Sequence, residues 1–491
     1  TGSAETGPIL YIPFNEGTGT SALDRSGNDR TGTLRNRATW VNGKVGSAVY
    51  FDGIAAGTLA TDTHVSFSAD ILDSLTTEAT FETWFKPNDT GDDFQDFMAY
   101  KEEGGTKTGK YIEMAYERST DKVWVYTDWA TNCATNIQAS VAMTGTQTAW
   151  HHFAFTMSTT GNALYIDGVK QTLTYGAGTS ATSCNLSNWS TGGGGSTYFT
   201  LGCWLNTATA CYDPEMYEGA LDEVKVFNYA RTPAQIAYDV NRGAPIGWWK
   251  FDDCTGATAY DSSGNGNNAT LTYGGGTYTS AGTCTSGTSS EGWYGGAVGR
   301  FNGGIAVDTT TDTISVGNIT LYTFERTTPF TTSIWMKTSS LSAMTLMSKQ
   351  DSSAPFSGWN VQTSGSGYIY LQLVNTYSSN TLEMRTTNST NFSDGTWHHV
   401  VTTYDGTSTP AGVHIYFDGK DIALTTSVNS LSSSITNSIL MYIGSRNGSA
   451  QKFDGLLDDA RLYNYALTAS QVKKLYNENA AARFGPTSGT P

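Results

Sequence analysis

A set of short motifs occurs twice in this chain, in the same order. Phe14-Asn15-Glu16-Gly17 followed by Leu23-Asp24-Arg25-Ser26-Gly27-Asn28 returns as Phe251-Asp252-Asp253-Cys254 followed by Tyr260-Asp261-Ser262-Ser263-Gly264-Asn265. Trp150-His151-His152 returns as Trp397-His398-His399, and Tyr165-Ile166-Asp167-Gly168 as Tyr416-Phe417-Asp418-Gly419. Gly219-Ala220-Leu221-Asp222-Glu223 returns as Gly455-Leu456-Leu457-Asp458-Asp459. The offset is 237 residues at Phe14/Phe251, 247 at the Trp-His-His pair and 236 at Asp222/Asp458. Solenoid units run only about 20–50 residues, so a period this long marks a duplicated domain. Residues 1–243 are read as the first copy, 244–483 as the second, and the Gly/Pro/Ser/Thr-rich stretch 484–491 as a flexible tail.

Within each copy, apolar and polar residues alternate over short runs, such as Val123-Trp124-Val125-Tyr126 and Tyr368-Ile369-Tyr370-Leu371, which end in Gly, Asn or Asp turns. Only 15% of residues are charged and Gly is abundant at 54, a mixture that suits short strands and tight turns. The expected fold class is all-β, two tandem antiparallel β-sandwiches, each closed by one short C-terminal α-helix. Thr232-Pro233-Ala234-Gln235 and Thr468-Ala469-Ser470-Gln471 are the helix starts: each places Gln three residues after a Thr N-cap. These helices are expected to seal the sandwich edge.

The formal net charge of −16 argues against nucleic acid as a partner, because phosphate binding needs clustered Lys and Arg. No apolar run approaches the roughly 18 residues that span a bilayer, so no membrane-spanning segment is expected. Six cysteines divide four and two between the copies, and even counts fit disulfides within domains. Cys203 with Cys211 and Cys254 with Cys284 are the expected pairs, leaving Cys133 with Cys184. Disulfides place the chain outside the cell or on its surface.

Taken together, the motifs resemble the laminin-G-like, concanavalin A-like lectin/glucanase superfamily. The elements that carry the resemblance are the Asp-x-Ser-Gly-Asn turn, Val49-Tyr50-Phe51-Asp52-Gly53, Phe81-Glu82-Thr83-Trp84-Phe85-Lys86, Trp-His-His, the Asp-Gly hairpin, and Leu-Asp-Glu/Asp before the helix. The resemblance implies a jelly roll of two antiparallel sheets. It also implies an extracellular module that binds glycans or proteins, often with calcium.

Function has to be argued from sites, since this fold serves many. The paired-carboxylate strings Glu-x-Asp-x-x-Glu and Glu-x-Asp-x-Glu, which glycanases of the superfamily use, are absent, so the chain is expected not to be an enzyme. The adjacent histidines are expected to be structural, one facing in and one out, with Trp150 and Trp397 in the core. Calcium, as a structural ion, is expected at Asp24 and Asn28 with Asp222, and at Asp261 and Asn265 with Asp458, because these offer the oxygen ligands it takes. Trp129, Trp189, Trp204 and Trp359 stand in polar surroundings and are candidates to stack on sugar rings. The expected function is binding or adhesion to a glycan or glycoprotein surface. A self-assembling subunit of a surface layer or filament, with copies of itself as partner, is the alternative, and a divergent glycoside hydrolase a third.

Overall fold

A computed structural model describes residues 7–54, 62–67, 75, 77–88, 90, 93–103, 110–128, 134–139, 148–175, 196–207, 210–211, 215–284, 291–294, 299–309 and 311–478. The chain divides into two units, Thr1–Val240 and Asn241–Pro491. The tail 484–491 lies outside the described residues.

Among the described residues, each unit holds one eight-stranded and one nine-stranded antiparallel sheet. The jelly roll expected from the alternating pattern is therefore present twice. In the first unit the nine-stranded sheet runs Leu173–Tyr175, Ala134–Ala139, Lys122–Asp128, Lys110–Glu117, Phe94–Glu103, Ser196–Leu201, His64–Phe67, Gly32–Arg35, Ser21–Ala22. Its eight-stranded partner is centred on Ala79–Pro87, flanked by His151–Ser158 and Glu218–Phe227. The second unit repeats both orders, with Phe330–Lys337 between Trp397–Tyr404 and Gly455–Tyr463. A hairpin of Leu205–Thr207 with Ala210–Cys211 belongs to the first unit alone.

The two sheets of each unit enclose one core. Phe85 stacks on Phe97 at 5.1 Å in the first, and Phe97 meets Phe153 edge-on at 5.1 Å. In the second, Phe324 stacks on Phe330 at 4.6 Å, and Trp359 leans against both. Strand Ala79–Pro87 is buried along nearly its whole length rather than at alternate positions. Phe81 and Phe85 face the core, while Glu82 and Trp84 lie on the opposite face beside Arg231 and His152; helix α1 (Pro233–Asn241) covers that face of the sheet, its Ile236 packing on Ala154, Ala163 and Tyr165. Helix α2 (Ala469–Tyr476) does the same, stacking Tyr476 on Trp335 at 5.6 Å.

Both helices start at the predicted capping boxes. Thr232 N donates to Gln235 Oε1 at 2.9 Å, and Thr468 N to Gln471 Oε1 at 2.8 Å. They cover the outer face of the sheet beside its edge, helix α2 also packing against the edge strand Lys420–Ile422 as expected. A helix over the outer face is what lets the strands beneath it be buried on both sides.

The strand glycines Gly219 and Gly455 have φ of +154° and +144°, and a Cβ there would lie 2.4 Å from Lys86 O and 2.3 Å from Lys337 O. That close approach explains why the repeated motif opens on glycine.

Trp359 is 1% exposed, and its Nε1 donates to Tyr322 O at 3.3 Å. It is a core residue, not the exposed sugar-stacking residue suggested by its polar neighbour Asn360. Trp359→Ala is expected to cost roughly 3–5 kcal/mol of stability in chemical denaturation. A loss under about 1 kcal/mol would place this side chain elsewhere.

Candidate functional site

Each unit builds its closing strand around two consecutive acidic residues. Register slips between Asp222 and Lys225 and between Asp458 and Arg461, and the second acid of each pair has positive φ, 53° at Glu223 and 48° at Asp459. This is a β-bulge, which re-aims the side chains on either side of it. Glu223 accepts from the Tyr11 hydroxyl at 2.8 Å, and Asp459 from Trp248 Nε1 at 2.6 Å. Asp222 and Asp458 turn away to accept from Val45 N and Phe301 N, both at 2.8 Å. Each is fully buried and has one oxygen, Oδ1, without a hydrogen-bond partner among the described residues. Burial pushes these carboxyls up to about 7 at Asp222 and about 8 at Asp458.

The Asp-x-Ser-Gly-Asn turns are saturated by contrast. Asp24 accepts from Tyr11 N at 3.0 Å, Ser26 N at 2.8 Å, Ser26 Oγ at 2.8 Å and Arg30 N at 3.0 Å, two bonds per oxygen. Burial opposes ionisation of Asp24, but these donors outweigh it and hold the carboxyl below its usual range. Asp261 repeats the pattern with Trp248 N, Ser263 N, Ser263 Oγ and Asn267 N at 2.9–3.0 Å. Asn28 and Asn265 donate to Ile9 O and Ile246 O at 3.0 and 2.9 Å. The turns are Asx-turns that pin the first strand of each unit. A cation there would have to displace four donors, whereas Asp222 and Asp458 each keep one oxygen without a donor among the described residues.

The histidines of each pair point to opposite sheet faces: His152 and His399 lie opposite Trp84 and Trp335 on the helix-covered face, His151 and His398 opposite Phe85 and Met336 on the core-facing side. His152 and His399 lie under the helices, beside Trp84 at 5.2 Å and Trp335 at 4.8 Å, and burial lowers both to about 3. His151 and His398 pair with Asp167 and Asp418 at 2.8 and 2.9 Å. Trp84 and Trp335 are buried, but Trp150 and Trp397, expected in the core, are only half-buried: the helix-covered positions beside Trp84 and Trp335 are taken by His152 and His399.

The nine-stranded sheet of the first unit carries a cavity of about 340 Å³ on its face away from the core. Phe94, Tyr111, Tyr126 and Trp204 form aromatic walls, with Tyr111 5.6 Å from Trp204 and Phe94 6.2 Å from Tyr126. Lys101 Nζ lies over the Trp204 ring at 5.4 Å. Asp96, Glu113 and Glu215 complete the lining, with one oxygen from each within 4.8 Å of the others. Ionised carboxylates that close repel by roughly 3 kcal/mol per pair at an effective dielectric near 20. Burial first, then Glu113 and Glu215, therefore drive the Asp96 carboxyl well above its ordinary value.

Sequence reasoning placed Trp204 in a candidate site but missed the three acids, which come from three separate segments. Trp129, Trp189, Cys133 and Cys184 lie outside the described residues. The Cys203–Cys211 and Cys254–Cys284 disulfides are formed as expected.

The architecture and motif order agree with a family model described as the concanavalin A-like lectin/glucanases superfamily, which matches residues 59–237 and 308–473. The chain belongs to the concanavalin A-like lectin/glucanase superfamily. Among curated proteins of this kind it is similar to the adhesion G-protein coupled receptor V1 of Danio rerio, 29% identical over 164 residues. That match covers 33% of this chain and 2% of the receptor, so the chain spans only a small part of that relative's length. Similar solved structures include domain 4 of AbnA, a GH43 extracellular arabinanase from Geobacillus stearothermophilus, in complex with arabinotriose. It is 18% identical, with coverage of 48% of this chain and 99% of that one and a TM-score of 0.32. The CBM40 of Ruminococcus gnavus IT-sialidase is 17% identical over 35% of this chain and 96% of that one, with a TM-score of 0.30. Likenesses at this level do not bear on function. Among the described residues of this superfamily member, no helix is long and apolar enough to cross a membrane.

The buried histidines give the fold an acid limit. A folded value near 3 against about 6.5 unfolded means that neutral His399 contributes stability above pH 6.5, and that this contribution is lost as pH falls toward 3. The thermal midpoint is expected to drop more steeply over that window in the wild type than in His399→Gln. Parallel curves would show that His399 is not buried neutral.

Proposed function

We propose that this chain is an extracellular glycan-binding protein whose ligand site is the acid-and-aromatic cavity of the first unit. The observation that carries the reading is the cavity's chemistry. Flat aromatic faces of Trp204, Tyr111, Tyr126 and Phe94 suit the apolar faces of pyranose rings, and the carboxylates between them suit hydroxyl donors. The extracellular part rests on the two disulfides and on similarity to an adhesion receptor. Binding is favoured over hydrolysis because the paired-carboxylate strings Glu-x-Asp-x-x-Glu and Glu-x-Asp-x-Glu are absent. Trp204→Ala is expected to weaken glycan binding at least about ten-fold by array and calorimetry, with no reducing sugar released by the wild type. Unchanged affinity in that variant would remove the cavity from recognition.

The structural calcium expected of the family fits Asp222 and Asp458, whose buried Oδ1 atoms have no hydrogen-bond partner among the described residues. The ion would neutralise an ionised carboxylate that the protein leaves half satisfied. Calcium is expected to raise the melting temperature of the chelated protein, by less in Asp222→Asn and Asp458→Asn. Identical melting with and without EDTA would refute this role.

A further inference from the structure

The duplication supplies an internal comparison for the acid cluster. Asp96 precedes a register slip that ends at Met98, and Thr345 precedes one that ends at Met347. Glu113 faces Ala99 and Tyr126 across its two neighbouring strands; Asn360 faces Ser348 and Gln372. Glu215 and Gln451 each stand four residues before the strand glycines Gly219 and Gly455. Thr345, Asn360 and Gln451 are thus the second unit's counterparts of Asp96, Glu113 and Glu215.

The two sets behave differently. Thr345 Oγ1 donates within reach of Asn360 Oδ1 at 3.3 Å and Gln451 Oε1 at 3.4 Å, and Asn360 Nδ2 donates to Gln362 Oε1 at 2.8 Å. Gln372 Nε2 continues the chain to Glu383 Oε2 at 2.7 Å. Neutral amides and a hydroxyl satisfy one another there. Three carboxylates at the same positions can do so only by sharing a proton or a cation, because an ionised carboxylate only accepts. Asp96 is 1% exposed and lines the cavity, yet its Oδ2 has no hydrogen-bond partner among the described residues.

We propose that Asp96, Glu113 and Glu215 bind a divalent cation of the calcium type in the first unit, at a position the second unit has neutralised. Oxygens within 4.8 Å of one another fit a single ion, since calcium holds its ligands at about 2.3–2.6 Å and ligands on opposite sides are then about twice that apart. An all-carboxylate donor set selects a hard cation over zinc or copper. Six to eight oxygens are needed, so three acids leave positions open to the cavity, where vicinal hydroxyls of a sugar can complete the shell. The cation site stands on its own geometry; its part in recognition rests on the glycan reading above. This site is separate from Asp222, which lies on the eight-stranded sheet.

Terbium is the probe, because Trp204, Tyr111 and Tyr126 line the cavity and can sensitise its emission. The test uses the full chain and the triple variant Asp96→Thr, Glu113→Asn, Glu215→Gln, which carries the side chains the second unit already accommodates. The wild type is expected to show sensitised emission displaced by calcium, and to bind one calcium more than the triple variant in calorimetry. Glu113→Gln, nearly isosteric, is expected to weaken that site at least ten-fold and serves if the triple variant does not fold. Equal stoichiometry and emission in wild type and variants would overturn the proposal, as would a chelated wild type that takes up no cation because its carboxylates share protons. Glycan retained at full affinity in EDTA would overturn the cation's part in recognition and leave the glycan reading standing. Cation binding without any glycan would support the site and refute that reading instead.

Discussion

The bulge on the closing strand is the constraint that each sandwich is arranged around. Ordinary strand alternation would send two adjacent acids to opposite faces, one of them into the core. A positive φ at Glu223 and Asp459 changes that geometry. One acid then ties the closing strand to the first strand through Tyr11 or Trp248, while the other accepts backbone N–H groups from the turn around Val45 or Phe301. Strand, turn and N-terminal segment are thereby fixed together at one point. Beneath the helices, Arg231 joins Glu82 to Asp239 of helix α1, and Arg461 reaches Glu478 just past helix α2 at 2.7 Å, so the outer layer is fastened by ions as well as by packing.

Much of this was legible in the sequence. Repeated motifs marked repeated architecture because each encodes a local necessity: the Asx-turn pins a strand, the capping box starts a helix, the glycine admits a neighbouring carbonyl. The disulfide pairs Cys203–Cys211 and Cys254–Cys284 followed from short separations. What escaped were properties made by distant segments meeting. Trp359 looked exposed beside Asn360, but its strand is buried on both faces and the tryptophan takes the core side. The helices' amphipathic pattern reported a buried face without saying that, besides the sheet edge, they also cover the outer sheet face. The acid cluster was invisible because Asp96, Glu113 and Glu215 share no window of sequence, and loops of unequal length hide their correspondence with Thr345, Asn360 and Gln451.

Electrostatics separates the copies more sharply than topology does. Both nine-stranded sheets bury polar residues on the face away from the core, and both therefore need those groups satisfied. The second unit closes its network from within, through amides that donate and accept. The first unit instead brings three acids together, and a shared proton or a cation between them relieves their repulsion.

The duplication thus amounts to a division of labour between redundant scaffolds. Each unit has its own hydrophobic core, so frustration in one sheet need not propagate to the other. One copy can fill these sheet positions with amides and a hydroxyl that satisfy one another, while its twin carries three acids at the same positions. A single-domain ancestor would have had to reconcile both demands on one surface.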